Sequence, residues 1–320
     1  MKATRRAILA AAALLPAPAL RAQDYPARPV RIVVPYAPGG PSDILARVLG
    51  AALHQAWGQP VVIENRPGAG SAIGTEAVAR AAPDGYTLLM AASAHVMIPP
   101  MMPRLAYDAV RDFTPIINCA FHPIVLVVHP NTPARNMAEF VALARSRPGG
   151  VTLGSSGVGT ASHLSVALLA QVAGVELTHV PFNGSAPAQA AVLSGQVQGG
   201  FLNSTVAAQQ TKAGAMRGLG VTATTRWREL PDLPTLPEQG FAVEAGSWYG
   251  ILAPAGLPAP IARKLHDDIQ AALRQPAVRE RVIAAGLDPL EVGSEAFRAQ
   301  IRAELEKWSQ VIREAGIKAD

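Results

Sequence analysis

The chain has 320 residues, of which 49% are hydrophobic and 16% charged, and this length predicts two domains of roughly 100 to 200 residues each. Four of its 28 Lys and Arg residues lie in the first 22 positions, and without them 24 basic residues face 23 acidic ones, so the net charge falls from +5 to +1. No cluster of Lys or Arg follows, which excludes a nucleic-acid-binding protein, because phosphate binding needs a clustered basic face.

The N-terminus has the pattern of a secretory signal peptide. Basic residues precede an apolar run from Ala7 to Leu15, and the sequence APALRA ends at Ala22. We predict a signal peptide over residues 1–22, cleaved after Ala22, and a mature protein in the periplasm. The apolar run is shorter than the roughly 20 residues that span a bilayer, so no transmembrane helix is predicted. The sequence TRRAIL also resembles a twin-arginine export signal, which leaves the export route open.

Short runs rich in β-branched residues alternate with longer helical patterns along the mature chain. This alternation predicts a mostly parallel sheet flanked by helices. The predicted strands lie at 30–34, 61–64, 86–91, 124–128, 151–154, 177–180, 199–202, 216–221 and 248–253.

Several helices have readable starts and faces. Ser42 is predicted to cap the first helix, and Asn136 with Glu139 forms a capping-box pair ahead of the helix that contains Phe140. The sequence from 258 to 278 has an amphipathic pattern entered through prolines. A closing helix carries an apolar stripe that predicts a core face, made by Phe297, Ile301, Leu305, Trp308 and Ile312.

The strand at 248–253 returns after a mid-chain α/β block. We therefore predict that residues 23–123 and 251–320 form domain 1 and that residues 124–250 form domain 2, with a cleft between them. Ligands of open α/β sheets bind beyond the carboxyl ends of strands. The loops that follow strands are thus the expected binding site.

The first such loop is PYAPGGPSD, from Pro35 to Asp43. Its glycines let the backbone approach a ligand closely, and the helix start at Ser42 offers free N–H groups to an anion. Asp43 is expected to brace the loop, since a carboxylate repels an anion. A plain tight turn is the alternative. The candidate ligand-binding residues of this loop are Tyr36, Pro38, Gly39, Gly40, Ser42 and Asp43.

The second loop is GSSGVGTASHL, from Gly154 to Leu164, at another helix start, with Gly174 as the predicted C-cap of that helix. The dinucleotide pattern GxGxxG fails at Ser162, and the hydrolase pattern GxSxG fails at Val158. What remains is a set of backbone and hydroxyl donors suited to a carboxylate. The candidates are Ser155, Ser156, Gly157, Gly159, Thr160, Ala161 and His163, with a structural role as the alternative for His163.

Three further post-strand loops offer candidates. Phe182, Asn183, Gly184 and Ala186 lie in VPFNGSAPA, where a helix starts near Pro187; Ser93 and His95 lie in MAASAHV; Asn203 lies in FLNST. Phe182 would lie along the apolar part of an organic ligand, although a lone phenylalanine also fits a core.

None of these loops carries catalytic machinery. They contain no paired carboxylates, no HExxH, no metal-ligand spacing and no general base oriented by an acid. We therefore predict no catalytic residues, no metal and no cofactor, and a protein that binds a small organic anion and releases it unchanged. The alternative from another class is a secreted serine hydrolase that uses Ser156 and His163, which lie about two helical turns apart.

At these residues the chain resembles a known family. The sequences YPARPVRIVVPYAPGGPSD, VVIENRPGAGSAIGTEAVARAAPDGYTLL, GSSGVGTASHL, HVPFNGSAPA, LPDLPTLPEQGF and WYGILAPAGLP are similar, in order and spacing, to those of the extracytoplasmic solute receptors of tripartite tricarboxylate transporters, often called Bug receptors. The resemblance covers essentially the whole mature chain.

The resemblance implies a fold and a role. The expected fold is α/β, a two-domain Venus-flytrap periplasmic binding protein of type II-like form with a central cleft between the domains. The expected function is capture of a mono-, di- or tricarboxylate by a monomer, which passes the ligand to a membrane permease of one large and one small subunit. A receptor that presents its ligand to a sensor kinase is the alternative, which neighbouring genes would distinguish.

The chain departs from the family pattern at one position. Receptors of this family that take amino acids tend to carry an aspartate just after the phenylalanine near residue 201, where this chain has Leu202. The resemblance therefore implies a plain carboxylate ligand without an amine.

Overall fold

The computed structural model describes residues 25–102 and 104–318 of the chain. Its strands are β1 (Val30–Val34), β2 (Val61–Asn65), β3 (Thr87–Ala92), β4 (Phe113–Val128), β5 (Thr152–Ser155), β6 (Thr178–Pro181), β7 (Gly199–Asn203), β8 (Arg217–Val221), β9 (Gly246–Pro254) and β10 (Asp288–Gly293). Its α-helices are α1 (Pro41–Trp57), α2 (Ala72–Ala79), α3 (Ala94–Met97), α4 (Met137–Ser146), α5 (Ala161–Ala173), α6 (Ser185–Leu193), α7 (Ser204–Lys212), α8 (Ala259–Arg274), α9 (Pro276–Ala284) and α10 (Ser294–Glu314). The predicted signal peptide lies outside the described residues.

The strands form one continuous curled path in the order β2-β1-β3-β9-β4-β7-β5-β6, with β8 and β10 also paired to β4. Each end of this path is parallel, because β1 pairs in parallel with β2 and β3, and β5 with β6 and β7. The middle is antiparallel, since β9 runs against β3 and β4, and β4 runs against β7. The expectation of a mostly parallel sheet thus holds within each half and is wrong for the strands that join them.

The long strand β4 belongs to both halves. It pairs with β9 from Phe113 to Pro123 and with β7 from Ile124 to Val128. The sequence predicted only its second part, because Pro115, Pro123 and the polar residues between them interrupt the β-branched run. The sequence also did not predict β10, an antiparallel partner of β4 whose residues are all half-buried and show no alternation.

Helices cover both halves of the sheet, and the closing helix joins their cores. α10 packs against β4, α3 and α5, and its apolar stripe is buried except at Leu305, which is half-buried. The predicted core face of this helix is confirmed. Among residues 25–102 and 104–318, no helix is both long enough and apolar enough to cross a membrane.

The helix ends test three sequence predictions. Asn136 caps α4, with its Oδ1 accepting from the Glu139 N–H at 2.9 Å, and Gly174 ends α5 in the left-handed conformation, so both predictions are confirmed. The prediction that Ser42 caps α1 is wrong. The helix begins one residue earlier, at Pro41, and Gly40 takes the N-cap position without a side-chain bond, because proline favours the first helical turn.

Candidate ligand-binding site

A cavity of about 560 Å³ lies where the carboxyl ends of β1, β3, β5 and β7 face the crossover strands β4 and β9. This volume falls within the range of small-molecule sites. The cavity brings together ten residues that the sequence proposed as candidates, namely Tyr36, Pro38, Gly40, Ser42, Ser93, Ser156, Gly159, Thr160, Ala161 and Asn203.

Four helices of eight or more residues begin at this cavity. Its wall includes Pro41 of α1, Ala161 of α5, Ser185 of α6 and Asn203, the N-cap of α7. The first N–H groups of an α-helix have no acceptor within the helix, and the helix dipole makes that end partially positive. The cavity is thus a point where four partial positive charges meet.

The cavity wall carries no side chain with a fixed charge. Among the described residues that line it there is no Asp, Glu, Lys or Arg, and its polar groups are hydroxyls, one amide and one imidazole. An anion in this cavity would therefore be held mainly by backbone N–H groups and hydroxyls.

Asp43 braces the first loop from behind. Its carboxylate accepts hydrogen bonds from the Gly39 N–H at 2.9 Å, from Arg47 Nε at 3.0 Å and from Asn65 Nδ2 at 2.9 Å. The guanidinium of Arg47 is the main reason why the pKa of Asp43 falls to about 2, with the Gly39 and Asn65 donors adding to it. Asp43 and Gly39 do not line the cavity; they fix the backbone of the residues that do.

Replacing Asp43 with asparagine is expected to lower the free energy of unfolding at pH 7 by about 1 kcal/mol, allowing for the exposure of Arg47. Because the folded pKa is depressed, this stabilisation is present above about pH 5 and is lost as the pH falls towards 2. Urea denaturation between pH 7 and 3 measures it. The wild-type protein should lose this stability on acidification and D43N should lose less, whereas the same substitution at the exposed Asp232 should follow the wild type.

The second loop is held by a hydroxyl network. Ser162 Oγ accepts from the Ser156 N–H at 3.0 Å and lies within hydrogen-bond distance of the hydroxyls of Ser156, at 2.9 Å, and Thr160, at 3.0 Å. Thr160 Oγ1 also donates to the carbonyl of Gly157 at 2.7 Å and caps α5. This network holds the Ser156 and Thr160 hydroxyls at the cavity wall.

Two candidate histidines lie away from the cavity. His95 is packed edge-on against Phe113, and its Nε2 lies 2.8 Å from the carbonyl of Ala109. His163 accepts from the Gly159 N–H at 3.1 Å and stacks on His179, with ring centroids 3.8 Å apart. The structural alternative for His163 is therefore the one that its contacts favour.

The other candidates support the second loop or lie beside it. Ser155 is fully buried, lies 2.6 Å from His179 Nε2 and accepts from the Gly157 N–H at 3.2 Å. The Phe182 and Gly184 N–H groups donate to the carbonyls of Ser155 and Ser156 at 3.0 and 3.2 Å. The helix predicted near Pro187 begins at Ser185, which lines the cavity. Asn183 and Ala186 are exposed beside it and do not line it.

Most of the cavity floor was not found from the sequence, which indicated only Leu202, through the family pattern. The floor is formed by His122 of β4, by Ser247 and Tyr249 of β9, and by Phe201 and Leu202 of β7. The signal that would have found the first three is their position, since each lies within a few residues of the predicted crossover points at 123 and 250.

The geometry does not support a serine hydrolase. Ser156 Oγ is hydrogen-bonded to Ser162, while His163 Nδ1 accepts from Gly159 and its ring stacks on His179. Burial, with the neighbouring His179 ring adding to it, lowers the pKa of His163 to about 4. Within the part of the chain that the structure describes, no three His, Cys, Asp or Glu side chains group as a metal site.

The chain is similar to proteins of known structure. A family model described as the tripartite tricarboxylate transporter family receptor matches residues 45–317. The chain is 35% identical to the periplasmic binding protein BugD, with 92% of this chain and 100% of that chain covered and a TM-score of 0.74. The α/β periplasmic-binding-protein fold expected from the sequence, with two lobes and a central cleft, is confirmed.

Two similar structures contain small acids. Rpa4515 of Rhodopseudomonas palustris, solved with adipate, is 34% identical, with 92% of this chain and 99% of that chain covered and a TM-score of 0.77. MatC (Rpa3494) of the same organism, solved with malate, is 33% identical, with 90% of this chain and 100% of that chain covered and a TM-score of 0.73.

Proposed function

Because the chain belongs to the tripartite tricarboxylate transporter receptor family, we propose that it captures a small organic carboxylate in the cavity described above and releases it unchanged. The observation that carries this proposal is the meeting of four helix N-termini in a cavity whose described walls have no fixed charge. Such a site attracts an anion, and the contacts of its imidazole are Asn203 and Tyr249, so no described serine on its wall is paired with a general base.

The expected affinity follows from the number of donors. A hydrogen bond to a charged group contributes about 1.5 to 3 kcal/mol. Four or five such bonds, after the cost of binding, correspond to micromolar affinity or better, about 8 kcal/mol. The ligand-contacting residues are the candidates that line the cavity, of which Ser156, Thr160 and the N–H groups near Ser42 are the principal donors.

The ligand class is a mono-, di- or tricarboxylate without an amine. The related proteins that hold adipate and malate support a carboxylate, and Leu202 offers no partner for an ammonium group. Tight binding of aspartate or glutamate, with plain organic acids silent, would overturn this assignment.

The wider role follows from the family. The mature protein acts as a periplasmic monomer of two domains, residues 23–123 with 251–320 and residues 124–250, whose boundary lies where β4 changes partner. It delivers its ligand to the membrane permease of a tripartite transporter. The alternative partner, a sensor kinase, would use the same cavity, so a transport assay in a strain lacking the permease distinguishes the two.

A thermal-shift panel of organic acids on the mature protein tests the binding site. A true ligand at one hundred times its Kd is expected to raise the melting temperature by about 5 °C, because binding to the folded state adds about 2.7 kcal/mol. In S156A the affinity for that ligand should fall about tenfold or more, since one hydroxyl donor is lost. Mass spectrometry of the acid that co-purifies identifies the natural ligand.

The matched control is S146A, which removes a hydroxyl that donates to Leu143 O at the exposed end of α4 and does not line the cavity. It should bind as the wild type does. No shift with any acid of a broad panel, or equal affinities of S156A and S146A, would contradict the proposed function. Ester hydrolysis that is lost in S156A would instead support the hydrolase.

A further inference from the structure

Among the described residues that line the cavity, His122 carries the one imidazole. It lies on β4 two residues before Ile124, where the strand begins to pair with β7 instead of β9, and it is buried with 6% of its surface exposed. Its ring lies between two other cavity-lining side chains. Nδ1 is 3.4 Å from the Tyr249 hydroxyl, and Nε2 is 3.4 Å from Asn203 Nδ2.

The orientation of Asn203 favours one protonation state of His122. Asn203 caps α7, with its Oδ1 accepting from the Thr205 N–H at 3.0 Å, so its amide nitrogen faces the imidazole. An amide nitrogen donates only, so Nε2 can pair with it only as an acceptor. This contact favours a neutral His122 without ligand, with its proton on Nδ1 facing Tyr249. Burial agrees, since it lowers the pKa of His122 to about 4.

Both contacts of the ring are long for hydrogen bonds. Distances of 3.4 Å exceed the usual 2.7 to 3.2 Å, so neither Asn203 nor Tyr249 holds the imidazole firmly. A carboxylate that enters the cavity is a better partner for Nε2 than an amide N–H, provided that Nε2 carries a proton. The imidazolium–carboxylate bond is charge-assisted and therefore shorter and stronger.

No other described cation or anion faces this ring. Tyr36 and Tyr249 share its side of the sheet, and burial raises the pKa of both hydroxyls, so they stay neutral. Phe121 precedes His122 on β4, and Trp248 follows Ser247, the residue of β9 that pairs with His122. Both side chains therefore point to the opposite face of the sheet. Charged groups on the elements that pack against β4 have contacts elsewhere. Asp288 lies opposite Phe121, Glu304 accepts from Trp248, Lys307 lies over the Trp308 ring, and Arg217 donates to Thr132. Lys212 ends α7, Arg274 pairs with Glu291, and Lys264, His266, Asp267 and Asp268 pair within α8.

A dicarboxylate brings two negative charges into a buried cavity whose described polar groups are helix N-termini, hydroxyls, one amide and one imidazole. A buried charge without a partner is costly. His122 is the described side chain on the cavity wall that can become a cation, because a carboxylate placed against Nε2 raises the pKa of the ring. We propose that His122 receives one carboxylate of a dicarboxylate ligand by taking up one proton from solvent as the ligand binds. This inference rests on the proposed function and deepens it.

The proton linkage fixes the direction of the pH dependence. His122 is neutral in the free protein and protonated in the complex, so the complex holds one more proton than its separated components. The affinity for a dicarboxylate should therefore fall as the pH rises, by up to tenfold per pH unit between pH 6 and 8. The affinity for a monocarboxylate should stay constant over this range.

Isothermal titration calorimetry in buffers of different ionisation enthalpy counts the protons directly. The ligands are the straight-chain dicarboxylates of four to eight carbons and the monocarboxylates of the same lengths, each titrated at pH 7 in phosphate and in Tris. We expect uptake of about one proton for each dicarboxylate that binds and about zero for each monocarboxylate. In H122Q the uptake should fall to about zero, and the dicarboxylate affinity at pH 6 should fall at least tenfold.

The control is H54Q, the same substitution at an exposed histidine of α1 remote from the cavity, which should keep the uptake of one proton. Far-UV circular dichroism checks that H122Q folds. Two results would overturn the inference and leave the proposed function intact. One is binding of dicarboxylates by the wild type without proton uptake, and the other is binding of monocarboxylates alone. Uptake that persists in H122Q places the proton on the ligand and also overturns it. Absence of any binding contradicts the proposed function itself.

Discussion

Replacing Gly74 with alanine is expected to lower the free energy of unfolding by about 2 kcal/mol, although alanine is the better helix former by about 1 kcal/mol. Gly74 is buried in α2, where a Cβ atom would lie 2.6 Å from the carbonyl oxygen of Arg66 and 2.8 Å from Cβ of Pro35. Pro35 directly follows β1 and Arg66 directly follows β2, so the backbone holds both of these neighbouring atoms in place. The added methyl group must therefore push the helix and the strand end apart.

The same substitution should weaken ligand binding by about tenfold. Pro35 is the first residue of the loop that supplies Tyr36, Pro38 and Gly40 to the cavity, so a shift at Pro35 moves these residues. The contribution of a hydrogen-bond donor to the binding free energy depends on its precise position. A displacement well under the length of a hydrogen bond is therefore enough to weaken binding. Urea denaturation measures the stability, and calorimetry with the acid found in the panel measures the affinity.

The matched control is G50A in α1, the other glycine inside a described α-helix. A Cβ atom there would lie 3.2 Å from Ile63 Cδ1 and 3.3 Å from Val61 Cγ1, which are ends of side chains that can shift. Its stability should stay within about 1 kcal/mol of the wild type, because the helix-propensity gain offsets the tighter packing. Equal stabilities of G74A and G50A would show that α2 and the cavity loop are not coupled.

The parts of the cavity that the sequence predicts are those with local signals. Glycines, prolines and helix starts after β1 and β5 mark loops that can approach a ligand, and the rule that ligands bind beyond strand ends places those loops together. Gly40 and Thr160 therefore line one cavity although they are far apart in the chain. The capping pair at Asn136 and the apolar stripe of α10 were predictable for the same reason, since each depends on spacing within one helix.

The cavity floor depends instead on strand register, which no local pattern gives. β4 and β9 pair with irregularities between Pro115 and Ile117 and between Asn118 and Ala120, and each one changes which side chains face the cavity. His122 could not be assigned to a face without that pairing. Conversely, His95 and His163 follow strands as ligand residues do, and only the tertiary contacts show that Ala109, Gly159 and His179 are their partners.

Replacing Leu202 with aspartate is expected to reduce the affinity for plain carboxylates at least a hundredfold at pH 7. Leu202 is buried on β7 and lines the cavity beside Phe201 and Asn203. A carboxylate at this position would face the bound anion, and two unit charges about 5 Å apart repel by about 3 kcal/mol at an effective dielectric constant of 20. The loss should be larger for a dicarboxylate than for a monocarboxylate, because more ligand charge lies near the new group.

L202N separates charge from shape, because asparagine has the size and polarity of aspartate without its charge, and both variants lose the same apolar packing. Calorimetry on folded samples of both should give the hundredfold difference between L202D and L202N. An acid with an α-amino group should lose much less affinity in L202D, since its ammonium can pair with the introduced carboxylate. Equal affinities of the two variants for a plain dicarboxylate would mean that the bound anion lies far from β7, and the cavity would then need another ligand orientation.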